Sequence, residues 1–296
     1  MNKPIVTSKQ IVEFLKPSIQ RIVYLIPKNR FIFLCGSAKK EAARYVFMNY
    51  VLKHHIEYIP ILAENFFGME DDGIVDLLSV ENEIADISDC VLVFLESESC
   101  FAELGAFSNT NICKKMLVVN QKKYSESPSF INLGPIAKVT RESDFENPVI
   151  CNFSSSLQVA DTILQRIEKG TPQKRKRIER LSSGDFSITD SQLKLSFILE
   201  ILSLATPIKK KELVNICKAI LKFDSKVMNS YIKFILTAEL FEEVDCFLIP
   251  KRLREGILDT VSIYDKSKCR AKVLRYYKKF DPTRMSIYCS EIRKKK

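Results

Sequence analysis

The chain has 296 residues, 46% of them apolar and 28% charged, with a formal net charge of +10. That length allows two domains with real cores, and the balance is that of a soluble globular protein. Its longest apolar runs, such as Cys90–Leu95, fall far short of a spanning helix, and no signal-peptide pattern opens the sequence. Nine scattered cysteines without a Cys-x-x-Cys pair, and only two histidines, argue against a disulfide framework and a zinc site. The expectation is a cytoplasmic protein with reduced thiols, no membrane association, no metal and no bound cofactor.

The charge is unevenly placed. Residues 266–296 hold twelve Lys or Arg against two acids, Asp281 and Glu291, so the rest of the chain is close to neutral. Such a basic end suggests nucleic acid or another polyanion, and its bland alternative is a solvated tail.

Taken in order, the chain begins with a short helical pattern from Lys9 to Leu15, interrupted by Pro17. Arg30-Phe-Ile-Phe-Leu-Cys-Gly-Ser37 reads as a strand running into Gly36, where backbone can approach a ligand closely. A helix with Ala42, Ala43, Val46, Phe47, Tyr50 and Val51 on a 3.6-residue period follows, and His54-His55 read as its polar end. Ile56–Leu62 is the next strand, followed by a helix over Leu77–Ile87 that carries Glu81. Cys90–Leu95 is a buried strand, Glu96–Cys100 a polar loop, and Ala102-Glu-Leu-Gly-Ala-Phe the start of another helix. A strand over Lys115–Asn120, a loop over Ser127–Pro135, a short strand over Ala137–Thr140 and a helix over Leu157–Ile167 complete the unit. Strands alternating with helices imply an α/β fold with a doubly wound parallel sheet over residues 1–168.

Residues 169–190 read as a basic linker, with six cations between Lys169 and Arg180 against Glu179 alone. Beyond it come helices over Ser191–Leu204, over Pro207–Leu221, and from an Asp224 cap to about Leu240. A hairpin over Phe241–Pro250 follows. Residues 191–296 therefore read as a smaller, mostly α, winged helix-turn-helix domain with a basic tail. Its third helix offers only Lys226 and Lys233, a poor set for reading a duplex, and protein docking suits the domain equally well.

Ligands of an open α/β sheet bind beyond the carboxyl ends of the strands. Asp89, Glu96, Glu98 and Glu103 bracket the Cys90–Leu95 strand, and the last three lie at that end. The bland reading of Glu103 is a first-turn acid favoured by the helix dipole. No phosphate-binding loop of the Walker or Gly-x-Gly-x-x-Gly kind is present.

Glu103-Leu-Gly-Ala, preceded by a strand and an acidic loop, resembles the catalytic stretch of nucleoside 2-deoxyribosyltransferases. Phe33-Leu-Cys-Gly36, Phe94-Leu-Glu-Ser97, Phe101-x-Glu103-Leu-Gly-Ala-Phe-Ser-Asn109 and Ser129-Phe-Ile-Asn-Leu-Gly-Pro135 are more closely similar to retron-associated effectors, toxins with a deoxyribosyltransferase-like domain and a winged-helix domain. The resemblance implies that Glu103 is the catalytic carboxylate. It places Gly36, Ser37, Glu81, Asp89, Glu96, Glu98, Asn109 and Asn132 around the substrate, with Glu96 and Glu98 as alternatives for one loop acid.

It further implies cleavage of an N-glycosidic bond in anti-phage defence. NAD fits this role, because its nicotinamide leaves as a neutral molecule without acid assistance; deoxyribosyl or ADP-ribosyl transfer is the alternative. The implied partners are a reverse transcriptase and its RNA–DNA hybrid, which restrain the toxin, and an oligomeric active form. Lys174, Arg175, Lys176, Arg177, Lys272 and Arg275 are the candidate cations for the nucleic acid. Two readings from other classes stand beside this one, a nucleotide-sensing winged-helix regulator and a scaffold with a relic pocket.

Overall fold

The computed structural model describes residues 6–27, 29–66, 76–171, 176–251, 258–261 and 266–294. They form two compact units, one of residues 29–173 and one joining residues 1–28 to residues 174–296. The chain opens with helix α1 (Ser8–Ile19) and strand β1 (Tyr24–Pro27), which belong to the second unit.

The first unit runs β2 (Arg30–Cys35), α2 (Ala43–His54), β3 (Tyr58–Ile61), α3 (Leu77–Ile87), β4 (Cys90–Phe94), α4 (Glu98–Ser108), β5 (Met116–Gln121), α5 (Ala137–Glu142), β6 (Val149–Cys151) and α6 (Ala160–Gly170). Its five strands pair in parallel in the order β3-β2-β4-β5-β6. This is the expected doubly wound sheet, and the order reverses between β2 and β4, which opens a crevice beyond their carboxyl ends. Ile32 lies opposite Cys90 and Cys35 opposite Val93, so those two ends are level.

Strand residues alternate between the faces. Ile32, Leu34, Leu92 and Phe94 join Phe47 of α2 and Ile163 of α6 in one buried cluster. The intervening Phe33 turns the other way and meets Phe107 of α4 edge to face, with ring centroids 6.2 Å apart. Helices on both faces explain why β2, β3 and β4 are buried along their whole length.

Two local expectations fail. Residues 137–140 are the first turn of α5, not a strand: a π-helical turn over Asn132–Ile136 runs directly into them, and Thr140 Oγ1 donates back to Ile136 O at 2.8 Å. The edge strand is instead β6, three residues long and too short to show a period. Helix α4 starts at Glu98, not near Ala102, because extended Ser97 already stands at its N-cap position.

The second unit continues with β7 (Lys176–Arg177), α7 (Ser191–Ala205), α8 (Lys210–Leu221), α9 (Ser225–Thr237), β8 (Phe241–Val244), β9 (Phe247–Pro250), β10 (Leu258–Val261), α10 (Lys266–Phe280) and α11 (Pro282–Lys294). Three helices followed by the β8–β9 hairpin match the expected winged-helix order, and Asp224 Oδ1 caps α9 by accepting from the Val227 amide at 2.8 Å. Residues 1–28 were expected with the sheet. Instead α1 packs against α7, α8 and α10, and β1 pairs with β7 and β10.

Residues 176–190, expected as part of a basic linker, belong to the second unit. Ile178 and Phe186 are buried, and the Arg180 guanidinium lies over the Phe186 ring, 4.7 Å from its centroid. The basic end is helical as well. Its Arg284 is buried between the Tyr277 and Phe247 rings and donates to Glu212 Oε1 at 2.8 Å and Asp281 Oδ2 at 3.1 Å.

Candidate active site

The site is built from the ends of β2, β3 and β4 and the helices that follow them. Beyond β2 the chain turns at Gly36, where an added Cβ would lie 2.7 Å from Arg44 Cβ and 2.8 Å from Glu96 Oε1. Only glycine lets α2 start this close to the sheet. That start has no side-chain cap of its own, since Ala42 holds the N-cap position. Glu96, one residue beyond Leu95, supplies the cap from the neighbouring strand. Its Oε1 accepts from the Ser37 amide at 3.0 Å and the Arg44 amide at 3.2 Å, and its Oε2 from the Ala43 amide at 2.7 Å. A carboxylate at a helix N-terminus also faces the positive end of the dipole. Glu96 thus ties β4 to α2.

Capping α2 fixes Arg44, whose side chain is only 4% exposed. Its guanidinium grips Glu64, in the 3₁₀ turn after β3, through two bonds of 2.5 and 3.2 Å, and the Tyr45 hydroxyl donates to the same carboxylate at 3.3 Å. Such a planar fork is the strong geometry for arginine and carboxylate.

Glu103 stands in the middle of α4 beside this pair. Its position as sixth residue of the helix removes the first-turn dipole explanation for it. Burial holds its carboxyl above the usual range, opposed by a hydrogen bond with Cys35 and the Arg44 charge, while Glu64 adds a further push upward. Its Oε2 is buried and has no hydrogen-bond partner among the described residues. A buried carboxylate oxygen left unmatched costs stability, and functional sites are where such costs are retained.

Glu81 of α3 completes the cluster. Burial first, then the charges of Glu103 and Glu64, push its carboxyl up to about 7. Among the described residues the crevice therefore gathers the carboxyls of Glu64, Glu81 and Glu103 and the Arg44 guanidinium, with Glu81 partly protonated at neutral pH. The buried Cys35 thiol is pushed up by burial and then by Glu103, so it stays protonated and serves Glu103 as a donor.

The remaining candidates are dispersed. Asp89 precedes β4 and accepts from the Phe31 amide at 2.8 Å, which puts it at the amino edge of the sheet, away from the crevice. Its position before a strand, rather than after one, decides this. Glu98 is exposed at the first residue of α4. Asn109 closes the far end of α4, where its amide donates to Gly105 O at 3.2 Å and its oxygen accepts from Lys138 Nζ at 3.0 Å. Asn132 holds the loop beyond β5: its amide donates to Tyr124 O and Ser127 O, both at 2.7 Å, and its oxygen accepts from Asn120 at 3.1 Å. Of the basic candidates, Lys174 and Arg175 lie outside the described residues. Lys176 and Arg177 form β7, and Lys272 and Arg275 are exposed on α10.

Sequence reasoning missed Arg44, Tyr45, Glu64 and Cys35. Glu64 was the accessible one, since it lies just past the carboxyl end of a parallel strand. Arg44 was hidden because the 3.6-residue period in α2 marks apolar positions, and a buried cation is silent in it.

A doubly wound α/β unit with a buried carboxylate cluster beyond its switch point, followed by a helical winged unit, is thus the class that fold and site define. A family model described as "STM3845 retron effector protein" matches residues 40–243, so the chain belongs to this family of retron effectors. It is 27% identical over 229 residues to the "Retron Ec73 putative ribosyltransferase/DNA-binding protein" of Escherichia coli, covering 70% of this chain and 71% of that one. It is 30% identical over 143 residues to the "Retron Ec86 putative ribosyltransferase/DNA-binding protein" of the same organism, covering 47% of this chain and 46% of that one.

Proposed function

We propose that the protein is a retron toxin that cleaves an N-glycosidic bond, with NAD as substrate and Glu103 as nucleophile. The observation that carries this is Glu103 itself: a half-buried carboxylate in the switch-point crevice, with one oxygen unpaired among the described residues, a hydrogen bond with Cys35 and the Arg44 charge nearby. Family membership and the relatives' printed names agree with glycosyl transfer.

In this reading a Glu103 oxygen attacks the anomeric carbon, the C–N bond breaks, and its electron pair leaves with nicotinamide as a neutral base. The oxocarbenium character that develops is stabilised by the surrounding carboxylates. Glu81, ionised, then takes a proton from water, whose oxygen displaces Glu103 and frees ADP-ribose; the proton passes to solvent. The Arg44–Glu64 pair keeps the crevice from carrying three unbalanced negative charges. The reverse transcriptase and its RNA–DNA hybrid restrain the toxin until infection, with basic residues of the second unit meeting the phosphates.

One observation favours a second reading. A carboxyl near 7 is a competent general acid at neutral pH, and a neutral purine or pyrimidine leaves only with such help. Deoxyribosyl transfer from a nucleoside would use Glu81 in that way. The pH profile separates the two: NAD hydrolysis limited by Glu81 as base rises through about pH 7, whereas base release limited by Glu81 as acid falls there.

The direct test is NAD content in cells expressing this chain alone, beside Glu103→Gln. Depletion by the native chain only is the expected result. Steady NAD with Glu103-dependent growth arrest moves the substrate to another N-glycoside, and equal behaviour of both chains removes the enzyme reading.

A further inference from the structure

Helix α10 carries seven cations and no acid between Lys266 and Phe280. The structure sorts them. Lys266 bonds the buried carboxylate of Glu200 at 2.8 Å. Arg270 donates to Ser203 O at 2.5 Å, to Thr206 O at 3.2 Å and to the Tyr288 hydroxyl at 2.6 Å, so these two hold the helix to its own unit. Cys269, Val273 and Tyr277 mark the buried face.

The others point outward. Lys272, Arg275 and Lys279 are exposed and separated by three and four residues, the spacing of one helix face. Exposed Lys268 continues the same line one turn earlier, and Lys278 flanks it. Lys272 and Arg275 have no ion-pair or hydrogen-bond partner among the described residues. At 1.5 Å rise per residue, the line from Lys268 to Lys279 extends about 16 Å, with a cation every 5 Å or so. Duplex nucleic acid presents a phosphate charge about every 3.4 Å along each strand.

We propose that α10 is a backbone-binding rail for double-helical nucleic acid, and that α9, the helix expected to enter a groove, is not the contact. The chemistry favours this partner over other polyanions. A membrane-surface helix needs a free apolar face, and that of α10 is buried. Single strands are gripped by stacking on aromatics. The aromatics here are engaged internally: Tyr276 packs on Phe14 and Phe280 with centroids 5.6 and 5.0 Å apart, and the Tyr277 hydroxyl donates to Ala205 O at 2.9 Å. A row of flexible cations, mostly lysine and with no Asn, Gln or Glu on the helix, favours phosphates over sequence. By contrast α9 exposes little positive charge, with Lys226 and Lys233 its only cations.

This deepens the nucleic-acid part of the proposed function and is independent of the chemistry at Glu103. The test uses the full chain in a Glu103→Gln background and a mixed-sequence DNA duplex of about 20 base pairs, binding being followed by fluorescence anisotropy from 50 to 300 mM salt. Each phosphate contact contributes about 0.9 to the slope of log affinity against log salt. The triple change Lys272→Gln, Arg275→Gln, Lys279→Gln should therefore lower the slope by about 2 to 3 units. Lys226→Gln with Lys233→Gln should leave it unchanged, and scrambling the duplex should not matter. Because all five positions lie on helix surfaces, circular dichroism should show both variants folded. An unchanged slope in the triple variant overturns the proposal even if duplex binding persists elsewhere. So does a loss confined to the α9 variant, or native binding to anionic vesicles but not to duplex.

Discussion

Glu81 is the residue whose titration can be followed most directly. Its carboxyl titrates near 7 in the folded chain, against an unperturbed value of about 4.3. The folded state therefore keeps a proton that the unfolded state has released, and the contribution of Glu81 is most favourable below the unfolded value. It declines as pH rises through about 7. Glu81→Gln removes this dependence, so the melting temperature of the variant should gain on the native chain between pH 5 and pH 8. A constant difference over that range would show that the carboxyl is not shifted. Removing the Glu103 charge takes away only the second cause of the shift, and burial remains the first. In Glu103→Gln the Glu81 carboxyl should move down yet stay above the ordinary range, which carboxyl-labelled NMR titration would read.

At the scale of elements, the sheet unit depends on one joint where β2, α2 and β4 meet. Glu96 accepts three amide bonds there. Glu96→Ala strips the cap from α2 and leaves the amides of Ser37, Ala43 and Arg44 without their acceptor. Loss of a helix cap costs about 0.5–2 kcal/mol, and buried donors left unmatched add about 1–3 kcal/mol. A loss of about 1.5–5 kcal/mol in urea unfolding is expected, together with lost activity as Arg44 shifts. The exposed neighbour Glu98→Ala should stay within about 0.5 kcal/mol. Gly36→Ala should act through the same joint from the other side, because its new methyl meets Arg44 Cβ at 2.7 Å. Overpacking of this kind costs about 1–3 kcal/mol.

This joint also shows what the sequence made legible. Four of the five sheet strands and the parallel, doubly wound class were visible, because apolar runs such as those that end at Gly36 and at Glu96 have few other readings. The role of Glu96 was not, because a carboxylate in a loop looks alike whether it faces substrate or a neighbouring helix N-terminus. Asp89, Glu96 and Glu98 were grouped by their nearness to one strand. The fold sets Asp89 apart from Glu96 and Glu98, since a strand of five residues has two ends about 16 Å apart.

For the whole molecule, the division of the chain could not be read from contiguity. Residues 1–28 precede the sheet in sequence but belong to the unit formed by residues 174–296. The signal was present, yet ambiguous. Ile11, Leu15 and Ile19 recur every four residues, which declares an amphipathic helix without saying whose core it covers. In the structure these three and Ile22 are 0% exposed. Burying each such side chain is worth about 1.5–3 kcal/mol, so the segment contributes on the order of 6–12 kcal/mol to its unit, as an upper estimate. A domain's whole stability is typically about 5–15 kcal/mol. Deleting residues 1–28 should therefore unfold the C-terminal unit while the sheet survives. Limited proteolysis of the truncated chain should cut rapidly within residues 174–296 and leave a resistant fragment near residues 29–173. If the C-terminal part resists instead, the first helix is an accessory to that unit and not part of its core. The nucleic-acid rail on α10 would then remain intact in the truncated chain, whereas the division observed here requires its duplex binding to be lost with α1.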